Sequence, residues 1–176
     1  MQLLICPGYH SPDLTHDFLQ LLLKRITPAH LWILPIFRLL GGWQWLLTEK
    51  DAPDRNQCLN VIAFSAGVVA AYPLIMDWQN NGGISRFIAI DGWGMPLPGA
   101  LSVYRVSHDR WTHNTTFFPA PHECRGYFYA SPGVEHLSLW QAPHQAHGKG
   151  AIGSVSTCPM TAFEFICDAL MDRKAR

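Results

Sequence analysis

The chain has 176 residues, of which 13 are lysine or arginine and 13 are aspartate or glutamate, so its formal net charge at pH 7 is zero. A chain of this length can form one domain that buries roughly 70% of the surface its unfolded form exposes, so no disulfide or metal staple is needed. Balanced charge provides no field that would attract nucleic acid or an anionic membrane, and nucleic acid is not expected as a partner. The five cysteines are scattered and form no CxxC pair, which favours a reducing compartment and a cytoplasmic location.

The most apolar stretch of the chain, residues 31–47, is broken by a proline, an arginine and a glycine pair. A membrane-spanning helix needs about 18 or more consecutive apolar residues, so we predict no integral membrane segment. We interpret the stretch as a buried strand followed by a packed helix. Trp43 and Trp45 leave a role at a membrane surface as an alternative for it.

In the first half of the chain, short apolar runs alternate with helical patterns. QLLIC predicts the first strand, and Ser11 with Pro12 has the form of an N-cap and the first residue of a helix. HLWILP predicts the second strand and residues 38–49 the second helix. The third strand, LNVIAF, is apolar throughout, as expected when both faces of a parallel sheet are covered. The helix after it is expected over residues 66–78, with Pro73 shortening or kinking it.

The second half continues the pattern, with RFIAID, LSVYRVS and GYFYAS as three further strands. Thr161 and Glu164 form a capping box that predicts the start of the last helix. Strands that alternate with helices indicate βαβ units, which join parallel strands. The predicted fold class is therefore α/β, a three-layer α/β/α sandwich with a mostly parallel sheet of about six strands.

The stretch NVIAFSAGVVAA places Ser65 between an apolar strand and a run of small residues. A strand-to-helix turn can push one side chain out at the carboxyl edge of the sheet, provided that the residues two before and two after it are small. Here those residues are Ala63 and Gly67. The first N–H groups of the helix point to the same spot, where an oxyanion can form. Ser65 is therefore a candidate nucleophile, and the alternative is a serine that caps the helix.

In this setting AFSAG resembles the nucleophile elbow of the α/β-hydrolase superfamily, G-x-S-x-G, and in particular the A-x-S-x-G elbow of its small lidless members. In that family the residue after a glycine turn at the end of the first strand donates a backbone N–H to the oxyanion hole. Through the Pro7-Gly8 turn, the resemblance implies the N–H groups of Tyr9 and Ala66 as the two donors. It also implies one hydrolase-like domain over residues 1–176 with no cap domain.

The family's chain order is serine, acid and histidine, with the acid and the histidine each following a later strand. Asp109 follows the fifth predicted strand and His136 the sixth, so the resemblance implies a triad of Ser65, Asp109 and His136. Asp91, which ends the fourth predicted strand, is the alternative acid. If EHLSLW rather than GYFYAS forms the last strand, His144 or His147 is the alternative base, with His147 preferred.

A triad of this kind implies a serine hydrolase that acts on a carboxylic ester or related acyl substrate through an acyl-enzyme, without a cofactor. Trp93, Met95 and Trp111 are expected to line an open, shallow pocket for an apolar acyl or aromatic group. No metal is expected, because the spacing of the histidines matches no motif such as HExxH.

A second function is left open by the same sequence. A hydrolase fold can be retained as an inactive module that binds a ligand or a partner, with Ser65 reduced to the first residue of a helix. Tryptophans in loops and a net charge of zero also leave a homodimer open.

Overall fold

The computed structural model of the protein describes residues 1–35, 46, 52–92, 103–115 and 124–172. Within these ranges the chain runs through eight strands and five helices. In chain order they are β1 (Gln2–Cys6), α1 (Pro12–Leu22), β2 (His30–Ile33), β3 (Leu59–Phe64), α2 (Ala66–Asn80), β4 (Ser85–Ile90), β5 (Val103–Ser107), α3 (Arg110–Thr115), β6 (Cys124–Ala130), α4 (His136–Gln141), β7 (His147–Ile152), β8 (Cys158–Thr161) and α5 (Ala162–Met171). The α/β class predicted from the sequence is confirmed.

All eight strands belong to one sheet with the order β2-β1-β3-β4-β5-β6-β7-β8. Strands β1 to β6 pair in parallel, whereas β7 and β8 pair antiparallel at one edge. The carboxyl ends of the six parallel strands therefore lie along the same edge of the sheet. Side chains that follow these strands come together there, as is usual for sites in parallel sheets.

The sheet is larger than the sequence predicts, with eight strands in place of about six. The six predicted strands correspond to β1 to β6, and the antiparallel hairpin of β7 and β8 was not predicted. The alternative in which EHLSLW forms the last strand is wrong, because His136 to Gln141 form α4.

Helices cover both faces of the sheet because successive strand residues point to opposite sides. In β1, Leu3 and Ile5 join a buried cluster that includes Phe18 of α1 and residues of α4 and α5. Leu4 and Cys6 join a second buried cluster formed with α2. The uniformly apolar strands therefore reflect burial on both faces.

The helix starts follow from local sequence. Ser11 accepts a hydrogen bond from the N–H of Asp13 at the start of α1, and Pro12 is the first helical residue. The predicted capping box is confirmed at α5, where Thr161 accepts from the N–H of Glu164 and the Glu164 carboxylate accepts from the N–H of Thr161. Helix α2 continues through Pro73 as far as Asn80, two residues beyond its predicted end.

Two sequence predictions fall mainly outside the described residues. The helix predicted over residues 38–49 is one of them, and of that segment only Leu46 is described, as a buried side chain. Trp43 and Trp45, the basis of the membrane-surface alternative, are likewise outside. Among the described helices, none combines the length and the apolar character required to span a bilayer.

Candidate active site

Ser65 forms the turn between β3 and α2 in a backbone conformation that L-residues seldom adopt. Its φ is 52° and its ψ is −121°, and its N–H donates to the carbonyl of Ile90 at the end of β4 over 2.8 Å. Such a conformation costs about 1–3 kcal/mol and persists only where the surrounding structure enforces it. The Ser65 side chain does not cap α2, so helix capping, the alternative role for this serine, is not what the structure has.

The conformation of Ser65 is enforced by close packing between the start of α2 and the end of β1. A Cβ at Gly67 would lie 2.0 Å from the carbonyl oxygen of Cys6, and a Cβ at Gly8 would lie 3.0 Å from Cβ of Ser65. The first distance excludes any side chain at Gly67, and the second is tighter than an ordinary van der Waals contact. The glycine two residues after the serine is therefore required where the two loops meet, and the glycine of the turn after β1 favours their close approach.

The expected oxyanion donors lie on these two loops. Tyr9 follows the Pro7-Gly8 turn and Ala66 is the first residue of α2. Within the described residues, neither N–H donates to a backbone carbonyl or a side chain. Two unengaged N–H groups on loops that pack against the Ser65 turn are what an oxyanion hole requires.

Asp91 lies directly after β4, at the same edge of the sheet, and its carboxylate is completely buried. It also has a positive φ, 49°, and its N–H donates to the carbonyl of Val106 in β5. Oδ1 accepts the backbone N–H of His108 at 2.9 Å. Oδ2 is bonded by two imidazoles, since Nδ1 of His108 and Nδ1 of His136 each lie 2.9 Å from it.

His136 begins α4, six residues beyond the end of β6. Its ring stacks on Phe64, the residue directly before Ser65, with ring centroids 4.6 Å apart and planes inclined by 26°. The hydrogen bond from Nδ1 to Asp91 fixes the second ring nitrogen, Nε2, as the one that a neighbouring hydroxyl would use. The structure therefore brings together His136, Asp91 and the strand that presents Ser65.

Asp109, the acid expected from the chain order, is placed differently. Its Oδ1 accepts the N–H of Thr112 at 2.6 Å, as an N-cap of α3, and its Oδ2 lies 3.7 Å from Nε2 of His108. Partial burial opposes ionisation, but the hydrogen bonds from Thr112 and the charge of His108 together lower the pKa of Asp109. The carboxylate that is hydrogen-bonded to His136 is therefore that of Asp91, the alternative acid, and not that of Asp109.

The third member of the cluster that Asp91 and His136 form is His108, a residue outside the expected triad. It follows β5 directly, so the sequence predicts its position near the carboxyl edge of the sheet. Its contacts with Asp91 could not be predicted, because they depend on the positive φ of Asp91. Besides its two bonds to Asp91, its Nε2 lies 3.5 Å from Oγ1 of Thr112.

Of the remaining predicted residues, two are exposed at the surface and two fall outside the described ranges. His147, the alternative base, is exposed at the start of β7. The pKa of Glu164 in α5 is lowered mainly by hydrogen bonds with Thr161, and His147 is a lesser cause. Trp111 lies in α3 with 72% of its surface exposed. Trp93 and Met95 fall outside the described residues.

A cavity of about 400 Å³ lies beside the turn that carries the expected oxyanion donor. Pro7 forms part of its wall, and the rest comes mainly from apolar side chains of α1 and the end of β2, among them Leu19, Ile33 and Leu34. None of these side chains was predicted to contact substrate. An apolar cavity of this size is large enough for a short or medium acyl group.

Comparison with known proteins assigns no family to the chain. No protein-family model, no curated protein and no solved structure matches it. The function is therefore argued from the geometry of the cluster at the carboxyl edge of the sheet.

Proposed function

We propose that the protein is a serine hydrolase of the α/β-hydrolase type that cleaves carboxylic esters or related acyl compounds. Ser65 is the nucleophile, His136 the general base and Asp91 the acid that orients it. The observation that carries the proposal is the partly buried hydrogen bond of 2.9 Å between Asp91 and His136. The imidazole of His136 stacks on the residue before Ser65, whose backbone is strained and whose side chain does not cap α2. Helices on both faces of the parallel sheet support the three-layer α/β/α arrangement of that type.

The mechanism follows from the roles that these groups can take. Ser65 Oγ attacks the acyl carbonyl while Nε2 of His136 takes the hydroxyl proton, and Asp91 stabilises the imidazolium through Nδ1. The N–H groups of Tyr9 and Ala66 bind the oxyanion of the tetrahedral intermediate. His136 then gives the proton to the leaving group, and in the second step it activates the water that releases the acid. No cofactor takes part.

The cavity beside Pro7 supports an apolar acyl group as the preferred part of the substrate. Its wall joins the Pro7-Gly8 turn, so an acyl chain whose carbonyl oxygen lies near the Tyr9 N–H can extend into it. Burial of each methylene there contributes about 0.8 kcal/mol. We expect kcat/KM to rise with acyl length until the cavity of about 400 Å³ is filled.

Covalent labelling with a fluorophosphonate probe, located by peptide mass spectrometry, tests the proposed function. We expect a single adduct, on Ser65, because the serine is activated by His136 and the phosphonyl oxygen occupies the oxyanion hole. The adduct should be absent in Ser65→Gly, which removes the hydroxyl and tolerates the positive φ. It should form at least about 100-fold more slowly in His136→Ala.

His147→Ala is the matched control, because it removes an exposed histidine from the start of β7 and should leave the labelling rate unchanged. Failure of several probe sizes to label a folded native sample would contradict the hydrolase and favour the inactive ligand-binding module. Equal labelling of the native protein and His136→Ala would remove His136 as the base.

A further inference from the structure

The carboxylate of Asp91 carries one imidazole more than a serine triad uses. A triad requires one histidine on the acid, and His136 fills that role. His108 nevertheless places its own Nδ1 at 2.9 Å from the same oxygen, Oδ2. The imidazole of His108 is therefore in direct contact with the catalytic acid, but the proposed mechanism does not use it.

Together the three side chains have the donor set and the spacing of a metal site. Asp91, His108 and His136 each offer one ligand atom, and these atoms lie within 4.8 Å of one another. Zinc in proteins binds imidazole nitrogens and carboxylate oxygens at about 2.0–2.2 Å, so neighbouring ligands of a tetrahedral ion lie about 3.3 Å apart. The distances of 2.9 Å from Oδ2 to each Nδ1 need to open by a few tenths of an ångström, and the widest separation in the set, up to 4.8 Å, needs to close toward the same value.

The cluster is also held in place, and its two imidazoles are partly exposed to solvent. The backbone N–H of His108 fixes Oδ1 of Asp91, which leaves Oδ2 at the point shared by the two rings. The Nε2 atom of His108 faces Asp109 and Thr112, the kind of outer support that orients histidine ligands. The side chain of Asp91 is buried, whereas those of His108 and His136 are 23% and 26% exposed, so the cluster reaches the surface through its two imidazoles.

We propose that Asp91, His108 and His136 form a binding site for a divalent transition metal, best suited to zinc, and that the bound ion inhibits the hydrolase. Two nitrogens and one carboxylate oxygen match the preference of zinc over magnesium or calcium. A metal on Nδ1 of His136 takes the place of the hydrogen bond to Asp91, so the acid can no longer stabilise the imidazolium. Inhibition rests on the proposed function, whereas binding of the metal does not.

Zinc affinity, measured by competition with a chromophoric chelator, tests the site directly. We expect one zinc per chain with the same affinity in the native protein and in Ser65→Gly, because the nucleophile is not a ligand. His108→Asn should bind zinc at least about 100-fold more weakly, since it loses a ligand while keeping the backbone N–H that fixes Asp91. His147→Asn, an exposed histidine outside the cluster, is the matched control and should bind like the native protein.

The labelling rate of Ser65 in the presence of zinc tests the inhibition, with each protein compared to its own metal-free rate. We expect at least a tenfold reduction at saturating zinc in the native protein, and the same zinc concentration should have little effect on His108→Asn. Thermal unfolding without metal shows whether His108→Asn is folded. Asp109→Asn is a second, milder variant, for which we expect the affinity for zinc to fall by about tenfold.

The outcomes separate the two proposals. Zinc bound by Ser65→Gly, together with no labelling of native Ser65, would keep the metal site and reject the hydrolase. Labelling of Ser65 without zinc binding, or equal binding by His108→Asn, would reject the metal site and keep the hydrolase. A labelling rate that rises with zinc would overturn the inhibitory role.

Discussion

Replacement of Asp91 by asparagine is expected to lower kcat/KM for ester hydrolysis by about 10⁴-fold, equivalent to about 5 kcal/mol of transition-state stabilisation. The amide cannot accept from Nδ1 of both imidazoles, and its N–H₂ group favours the tautomer of His136 that carries its proton on Nε2. In that tautomer Nε2 cannot take the proton of Ser65. Steady-state kinetics with a p-nitrophenyl ester of medium acyl length measure the change.

The matched variant is Asp109→Asn, for which we expect a loss of less than about tenfold. Asparagine adopts positive φ at least as readily as aspartate, so Asp91→Asn should keep the turn after β4, and its carbonyl oxygen can still accept the N–H of His108. Thermal unfolding confirms that both variants are folded. A large loss in Asp109→Asn with little change in Asp91→Asn would restore Asp109 as the acid.

The position of the candidate nucleophile could be predicted because it depends on local sequence. The turn at Ser65 needs small residues two positions before and two positions after the serine, and the sequence has Ala63 and Gly67 there. Parallel strands also determine which loops share an edge, so His136 could be expected near it once GYFYAS was identified as the last parallel strand.

Which of the two aspartates contacts His136 could not be predicted in the same way, because Asp91 and Asp109 both follow a parallel strand within two residues. The contact with His136 depends on the positive φ of Asp91, which no residue pattern specifies for a non-glycine position. One local signal in the sequence does predict a different role for Asp109. Asp109 stands three residues before Thr112, the spacing of an N-cap, and the structure uses it so.

Strand β7 could not be predicted from its sequence, HGKGAI, because this composition is typical of a turn. Its glycines have a steric reason that appears only in three dimensions. A Cβ at Gly148 would lie 2.1 Å from the carbonyl oxygen of Tyr129 in the paired strand β6. The residue that lowers the apparent strand propensity is the one that lets the two strands approach.

Replacement of Gly67 by alanine is expected to lower the free energy of unfolding by about 2–4 kcal/mol, although alanine favours a helix over glycine by about 1 kcal/mol. The new methyl group would lie 2.0 Å from the carbonyl oxygen of Cys6 and 2.7 Å from that of Pro7. Both contacts are with backbone, so the methyl can be accommodated only if α2 moves away from the end of β1. Urea denaturation measures the sign of the change, which separates steric packing from helix propensity.

The same displacement should also reduce the labelling rate of Ser65, because it separates the Ala66 N–H from the turn that carries the Tyr9 N–H. Loss of one oxyanion donor costs about 10²- to 10³-fold, so we expect a decrease of at least tenfold. Gly82→Ala is the control, since φ there is +81° with no atom within 4 Å of the new Cβ. That variant should lose about 1–2 kcal/mol through backbone strain alone and keep the native labelling rate. A Gly67→Ala protein as stable and reactive as the native one would mean that contact between the two loops does not enforce the conformation of Ser65.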